Sequence, residues 1–318
     1  MSEGAVSEGG PAGLRWRTII LPFVTFTGIW GGTWIVIRDQ LGPVAPQWSV
    51  TYRFAIAALA MAGVALVQRY SLKPSRGLLA SAALLGFAQF CVNFNAVYLA
   101  ERYITSGLVA TVFAVLLIPN SLLAWAVLGQ KPSRRFATAA SVAVAGVALL
   151  FANEIRAHPG RTSDIAIGIG LTLLGLLGAS VANVYQATPG PRHFALPVLL
   201  AWAMGLGALF DAVIALAVAG PPTFDPRAAY WAGLLYLSLA ASVLCFSLYF
   251  PFIRRVGAGR AAYSSVLVPI IAMSLSTAFE AYRWTPLAAA GVALALGGML
   301  LALARRPRPL AAAAPDAG

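Results

Sequence analysis

Long apolar stretches separated by very short polar segments make up almost the whole chain. None of them alternates between apolar and polar residues as the strand of a membrane barrel would, so they predict helices. Each is close to the roughly 20 residues that a helix needs to cross a bilayer. The pattern therefore predicts an all-α polytopic membrane protein with ten transmembrane helices. The predicted spans cover residues 18–37, 46–67, 77–99, 104–128, 136–152, 165–187, 195–219, 228–253, 261–279 and 285–303.

The composition agrees with a membrane protein. Of the 318 residues, 60% are hydrophobic and only 10% are charged, whereas soluble domains have about 25% charged residues. Residues 1–16 and 304–318 are rich in small and polar residues, and we expect them to be disordered tails on the cytoplasmic side.

The net charge of +12 is an orientation signal rather than a sign of nucleic-acid binding, because the basic residues are distributed asymmetrically. Fifteen of the 22 Lys and Arg residues lie on the side that holds both termini, and six lie in the opposite loops. Positive residues stay in the cytoplasm, so both termini are predicted to be cytoplasmic. The expected surroundings are the lipid bilayer, with no nucleic-acid partner.

Reactive and metal-ligating residues are scarce. The two cysteines, Cys91 and Cys245, lie inside predicted spans, and the two histidines lie in loops without metal-ligand spacing. No hydrolase, metalloprotease or phosphate-loop motif occurs. The sequence therefore predicts neither an enzyme nor a metal or cofactor site.

The chain repeats itself at an offset of 150 residues. Pro119 corresponds to Pro269, and Gln130 corresponds to Glu280, at the end of a long span in each half. The repeat predicts two five-helix halves, residues 17–152 and 165–303, joined by an external linker loop at 153–164. Because each half has an odd number of spans, the second half inserts upside down relative to the first, as in many secondary transporters.

One stretch of the first half carries a resemblance to a known family. Residues 27–38 read T-G-I-W-G-G-T-W-I-V-I-R and are followed by Pro46, Arg53 and Phe54, which resembles the opening of an EamA domain. With the Pro269 and Glu280 pattern, the chain resembles the ten-helix drug/metabolite transporter superfamily, although Gln130 stands where that family usually has Glu. The resemblance implies a multi-pass carrier of the bacterial inner membrane, closest to exporters of amino acids, including aromatic ones.

Polar side chains are concentrated in a few spans, while spans 5 and 10 have almost none. Uncompensated polar groups are costly in hydrocarbon, so the concentration predicts a cavity shared by both halves. For each residue taken singly, a hydrogen bond between helices is the alternative. Amides and aromatic rings suit a small amphiphilic substrate. The predicted substrate-binding residues are Trp30, Trp34, Gln89, Asn93, Tyr98, Asn183, Ser242 and Tyr249.

Prolines and charges inside the spans add further expectations. Pro119 and Pro269 lack a donor N–H, so we expect matching kinks that act as hinges. For Arg53 we expect a structural role, through carbonyl hydrogen bonds or a pair near the outer mouth. Asp211 has no visible partner, and a proton site is the less favoured alternative for it. Glu280 is expected to cap a helix end at an interface.

These observations favour a secondary transporter that exports amino acids or similar small amphiphilic metabolites by alternating access. Export of drug-like cations or of other metabolites is an alternative, and a nucleotide-sugar carrier is disfavoured because the spans lack a Lys/Arg pair for phosphate. A membrane channel is the alternative from another class, but no selectivity element appears. We expect a monomer, with a dimer as the alternative.

Overall fold

The computed structural model describes residues 16–256 and 264–303, and this part of the chain folds into ten apolar helices. Nine have the length and apolarity to cross a membrane, and the other, α9, is shorter at 16 described residues. The predicted tails lie outside the described residues, apart from the first turn at Trp16. The helices are α1 (Thr18–Asp39), α2 (Pro46–Val67), α3 (Arg76–Ala100), α4 (Ser106–Leu128), α5 (Arg134–Ala157), α6 (Pro159–Ala187), α7 (Leu196–Ala219), α8 (Ala228–Tyr249), α9 (Ser264–Phe279) and α10 (Pro286–Leu303).

Hydroxyl side chains begin several of these helices. Ser75, Ser133 and Thr285 each accept a hydrogen bond from the backbone N–H three residues later, at 3.1–3.2 Å. Such caps satisfy one of the N–H groups that a first turn leaves without a partner. Each cap therefore leaves one backbone donor fewer without a partner where a short loop enters the helix.

The segment expected to be the external linker is mostly helical. The α5 helix continues to Ala157, and a 3-10 turn at Pro159–Arg161 opens α6, so only His158 separates the two. Asn153, at the start of the expected loop, is buried and its amide oxygen accepts a hydrogen bond from the Thr285 hydroxyl. Because this polar residue finds a partner on α10, the helix does not have to end where the polar sequence begins.

Helices of the two halves pair in a matching pattern. The α2 helix packs along α7, and α5 packs along α10. The α5–α10 contact depends on glycines, since a Cβ on Gly146 would lie 2.3 Å from the backbone nitrogen of Ala295, and one on Gly298 would lie 2.5 Å from that of Ala143. Such close backbone approach makes this pair a rigid support at one side of the bundle.

Three helices change their winding near the middle of the bundle. Gly86–Asn93 in α3 and Tyr236–Leu244 in α8 are π-helical, and they begin 150 residues apart, at the offset of the sequence repeat. The α4 helix contains a 3-10 turn at Ala114–Leu116, just before Pro119, whose missing N–H removes a helical hydrogen bond there. The α9 helix remains α-helical across Pro269. The hinge role of the two prolines stays a prediction.

Candidate functional site

A central cavity of about 220 Å³ lies among seven helices, α1, α2, α3, α4, α6, α8 and α9. Among the described residues, α5, α7 and α10 contribute nothing to its lining. Both halves of the chain therefore form the wall, and the two glycine-packed helices stand behind it. The wall is mainly apolar and aromatic, with a few amides and one arginine.

Six of the eight residues predicted to bind substrate line this cavity, and so does the predicted hinge Pro269. The six are Trp30, Trp34, Gln89, Asn93, Asn183 and Tyr249. The structure brings them together from four helices that are distant in sequence.

Tyr98 and Ser242 were also predicted to bind substrate, but both lie behind the cavity wall. Both are completely buried and neither contacts the cavity. Tyr98 is five residues beyond Asn93, which turns it by about 140° around the helix at ~100° per residue. Ser242 is held by its own helix, where its hydroxyl donates to the Leu237 carbonyl at 2.8 Å across a π-helical turn.

The amides that line the cavity have no side-chain partners in the described part of the protein. Gln89 and Asn183 form no side-chain hydrogen bond, and the amide oxygen of buried Asn93 has no donor. A buried acceptor without a donor is costly unless a ligand or water reaches it. The cavity therefore has polar groups that remain available to a bound molecule.

Two pairs of polar residues outside the cavity behave differently, because they bond to one another between helices. The Ser180 hydroxyl on α6 donates to the amide oxygen of Asn120 on α4 at 2.8 Å. The Asn95 amide on α3 donates to Asp211 on α7 at 2.6 Å. Asp211 is thus not the carboxylate without a partner that the sequence indicated, although its second oxygen has no described hydrogen bond.

Aromatic rings form one side of the cavity and are held in place by specific contacts. The Trp30 indole N–H donates to the Ala241 carbonyl of the α8 π-helical segment at 3.0 Å, and its ring meets Tyr249 edge-on at 4.9 Å. Trp34 packs against Phe113, with ring centroids 5.2 Å apart. Both indoles therefore present fixed apolar faces, which suits an apolar or aromatic group of a substrate.

Arg53 is the cavity residue that sequence reasoning did not place there. It lies in the second turn of α2, is 1% exposed and lines the cavity. Its guanidinium lies 4.3 Å from the centre of the Phe94 ring, and Nε and Nη2 donate to the Ser242 hydroxyl at 3.4 and 3.3 Å. These contacts are structural in part, as expected, but none is with a carbonyl or an acidic partner. The available signal was that Arg53 is the one Lys or Arg residue inside a predicted span.

A polar network closes the end of the bundle at which α1, α3 and α9 finish and α4 begins, here called the distal end. Glu280 accepts hydrogen bonds from the Ser106 backbone N–H at 3.3 and 3.2 Å and from its hydroxyl at 2.6 Å. Arg38 lies 3.6 Å from the same carboxylate and donates to the Glu101 carbonyl. The interface role expected for Glu280 is therefore present, since it joins α1, α4 and α9.

Glu101 is an unusual member of this distal network. It follows directly after α3, is fully buried, and neither carboxylate oxygen has a hydrogen-bond partner among the described residues. Burial, and secondly the nearby Glu280 charge, raise the pKa of Glu101 well above its usual range, while Arg38 opposes the shift. The closed network consequently favours a protonated, neutral Glu101.

The described residues contain no group of three or more His, Cys, Asp or Glu side chains that could hold a metal ion. The arrangement instead offers a cavity lined by amides, aromatic faces and one cation, surrounded by helices long and apolar enough to cross a membrane. This architecture is that of a helical membrane protein with an internal cavity.

Comparison with known sequences identifies the family. The sequence pattern of the EamA-like transporter family matches residues 17–152 and, a second time, residues 166–304. The chain therefore belongs to the EamA-like transporter family. It is a membrane transporter and not an enzyme, as the sequence predicted.

Individual relatives are more distant. The uncharacterized inner membrane transporter YedA of Escherichia coli K12 is 29% identical over 254 residues, which cover 78% of each chain. Protein PagO of Salmonella typhimurium is 25% identical, with 85% of this chain and 87% of PagO covered. A solved crystal structure matches with a TM-score of 0.63 at 19% identity, covering 91% of this chain and 98% of the other. This structural match shows that the two proteins share a fold.

Proposed function

We propose that this transporter exports amino acids, aromatic or otherwise apolar, or similar small amphiphilic metabolites from the cytoplasm by alternating access. The observation that carries the proposal is the central cavity, in which amides without side-chain partners face fixed indole rings. Amides can donate to a carboxylate and accept from an ammonium group. Indole faces can pack against an apolar side chain. The same cavity thus offers separate contacts for the two ends of such a substrate.

Two inverted five-helix halves would give this cavity its alternating access. Three observations support the arrangement: the family pattern matches twice, α3 and α8 carry π-helical segments at the repeat offset, and both halves line the cavity. Transporters of this build bind near the membrane midplane and rock one half against the other. Pro119 and Pro269 are the proposed hinges.

The conformation that the structure describes suits an inward-facing state. The distal end is closed by the Glu280 network, whereas lining residues such as Gln186 and Ser264 extend to the opposite ends of α6 and α9. The asymmetry of basic residues supports cytoplasmic termini, which makes the distal end external. We place the protein in the bacterial inner membrane, the location printed in the name of YedA.

Export of drug-like cations is the second candidate, and the aromatic wall favours it because ring faces attract ammonium groups. The guanidinium of Arg53 in the same wall opposes it, since like charges in a medium of low polarity repel strongly. Family membership favours a carrier over the channel alternative.

Counterflow in proteoliposomes, measured with a panel of radiolabelled amino acids, tests the proposal. Gln89→Ala, Asn93→Ala and Asn183→Ala should each weaken substrate affinity by about tenfold, or ~1.4 kcal/mol, without loss of folded protein. Ser141→Ala is the matched control, because Ser141 lies on α5 and donates within its own helix. Wild-type affinity in all three amide variants, or no amino-acid counterflow while a lipophilic cation exchanges, would refute the proposal.

A further inference from the structure

We propose that Arg53 is the anchor for an anionic group of the substrate, and that this group is a carboxylate. The inference rests on the proposed export function and specifies the substrate class that the cavity accepts. Arg53 lies seven residues into α2, about 10 Å from the distal end of the helix at ~1.5 Å per residue. It is therefore well inside the hydrocarbon thickness.

The charge of Arg53 has no acidic partner within residues 16–256 and 264–303. The sequence contains ten Asp and Glu residues, of which Glu3, Glu8 and Asp316 lie outside the described part. Five of the other seven form ion pairs, with Arg38, His158, Arg161 or Arg227, and neither these five nor Glu101 and Asp211 lie within 4.0 Å of the Arg53 guanidinium. Glu101 is close enough to influence Arg53 electrostatically but does not reach that distance.

The hydrogen bonds of the guanidinium are also incomplete. Nε and Nη2 share one hydroxyl, that of Ser242, at distances longer than a normal bond of this type, and Nη1 has no acceptor in the described structure. The Tyr98 hydroxyl lies close enough to interact with the guanidinium, although the two groups are outside normal hydrogen-bond geometry. A guanidinium has five donors and is not deprotonated in proteins. The described residues therefore leave Nη1 without an acceptor and give Nε and Nη2 one shared, long hydrogen bond, in a side chain that lines the cavity.

Aromatic contacts offset part of the cost of this buried charge. Phe94, also in the cavity wall, lies 4.3 Å from the guanidinium, and Phe54 lies 5.2 Å away. Such contacts favour a cation but add no acceptor to the N–H edge of the guanidinium, where the Ser242 hydroxyl is the one acceptor among the described residues. A carboxylate can accept two parallel hydrogen bonds from that edge, which is the geometry that guanidinium groups bind best.

The surroundings of Arg53 indicate the rest of the substrate. Gln89 and Asn93 line the same cavity, and their amide groups can accept from an ammonium group, while Trp30 and Trp34 provide apolar faces. A small apolar amino acid would place its carboxylate on Arg53, its ammonium group on the amides and its side chain on the indoles. A substrate that is only a cation would lack a partner for Arg53.

Matched ligands test the anchor in the wild-type protein. Binding of L-phenylalanine, L-phenylalaninamide, 3-phenylpropionate and 2-phenylethylamine is measured on the detergent-purified full chain by calorimetry. L-phenylalanine should bind on the order of tenfold or more tightly than its amide, which lacks the carboxylate. The acid 3-phenylpropionate should also bind more tightly than 2-phenylethylamine. Equal affinities within each acid and non-acid pair would overturn the proposal.

Two substitutions add a second readout. In Arg53→Gln the preference for acid over amide should fall to within about threefold, and Arg53→Lys should keep part of it, because a single ammonium charge cannot bind bidentately. Arg102→Gln, an exposed distal arginine, is the matched control and should keep the full preference. An unchanged preference in folded Arg53→Gln would mean that the arginine is only structural.

Carboxylate binding by Arg53 and export of amino acids are refuted by different results. If L-phenylalanine and its amide exchange equally well in counterflow, the anchor fails while export of small amphiphiles survives. If carboxylates bind in an Arg53-dependent manner but no amino acid exchanges, the anchor survives and amino-acid export fails. Tight binding of 2-phenylethylamine that Arg53→Gln leaves unchanged would refute both.

Discussion

Removal of the Glu280 carboxylate should open the distal end of the cavity. In the described conformation this side chain is 8% exposed and accepts both the backbone N–H and the hydroxyl of Ser106. Glu280→Ala leaves both donors without that acceptor in the closed state. An open state would expose them to water, so the substitution selectively destabilises closure.

The magnitude follows from these contacts. Hydrogen bonds to a charged group contribute about 1.5–3 kcal/mol each, and Ser106 makes two such contacts through its N–H and O–H. The Arg38 pair adds little, at most ~1 kcal/mol, because its side chain is 43% exposed. Relief of repulsion with Glu101 works in the opposite direction. A net shift of ~2–4 kcal/mol towards opening corresponds to about thirtyfold to a thousandfold in the equilibrium.

Cysteine labelling from the distal side measures this shift. Thr33 lines the cavity, and Thr33→Cys in a background lacking Cys91 and Cys245 places a thiol there. An impermeant maleimide applied to intact cells should label it slowly in the parent and much faster with Glu280→Ala. Ser106→Ala removes only the hydroxyl contact and should give an intermediate rate.

Asp164→Asn is the matched control for the loss of a distal carboxylate. Asp164 pairs with Arg161, and both side chains are about half exposed, so this substitution should leave the labelling rate unchanged. A parent-like rate in folded Glu280→Ala would refute the reasoning. Closure of the distal end would then depend on helix packing instead. One such contact joins α4 and α9 at Gly107, where a Cβ would lie 2.7 Å from the Met273 sulfur.

Three further predictions concern topology, packing and pH. Thr162→Cys should label from outside intact cells, and Gln68→Cys only after permeabilisation; the reverse would invert the assigned orientation. Gly146→Ala should lower the thermal unfolding temperature through a clash costing about 1–3 kcal/mol, whereas Gly170→Ala, with open space around it, should not; equal temperatures would contradict the close α5–α10 contact. Because the pKa of Glu101 is raised in the closed state, closure should weaken as pH rises above the ordinary range of a glutamate carboxyl and through the raised pKa. Distal labelling of Thr33→Cys should then increase with pH beyond the thiol's own dependence, and Glu101→Gln should abolish this excess.

Much of the candidate site could be identified from polar residues in apolar spans. Gln89, Asn93 and Asn183 stand out because an amide without a hydrogen-bond partner is costly in hydrocarbon. All three line the cavity. The same argument could not separate them from Asn95, which bonds to Asp211 on a helix 116 residues away in sequence. The cost of burying a polar side chain indicates that it has a hydrogen-bond partner. It does not indicate whether that partner is another helix or a bound substrate.

Helix rotation accounts for the two predicted binding residues that lie outside the cavity. Tyr98 lies on another face of α3 by the regular helical spacing from Asn93, whereas Ser242 belongs to a π-helical segment, whose wider turns change the direction in which its side chains point. A regular spacing of 3.6 residues per turn does not anticipate this change. The extension of α5 through Asn153 was missed for a similar reason, since its partner Thr285 comes from α10.

The sequence by itself determined that this is an all-α membrane protein of the drug/metabolite transporter type. Span length and apolarity are enough for the class, because transfer into hydrocarbon is a sum over consecutive residues. Only the tertiary structure decided which polar groups pair between helices and which face the cavity. That distinction made Arg53 a cavity residue without an acidic partner, and it depends on contacts between residues far apart in the chain.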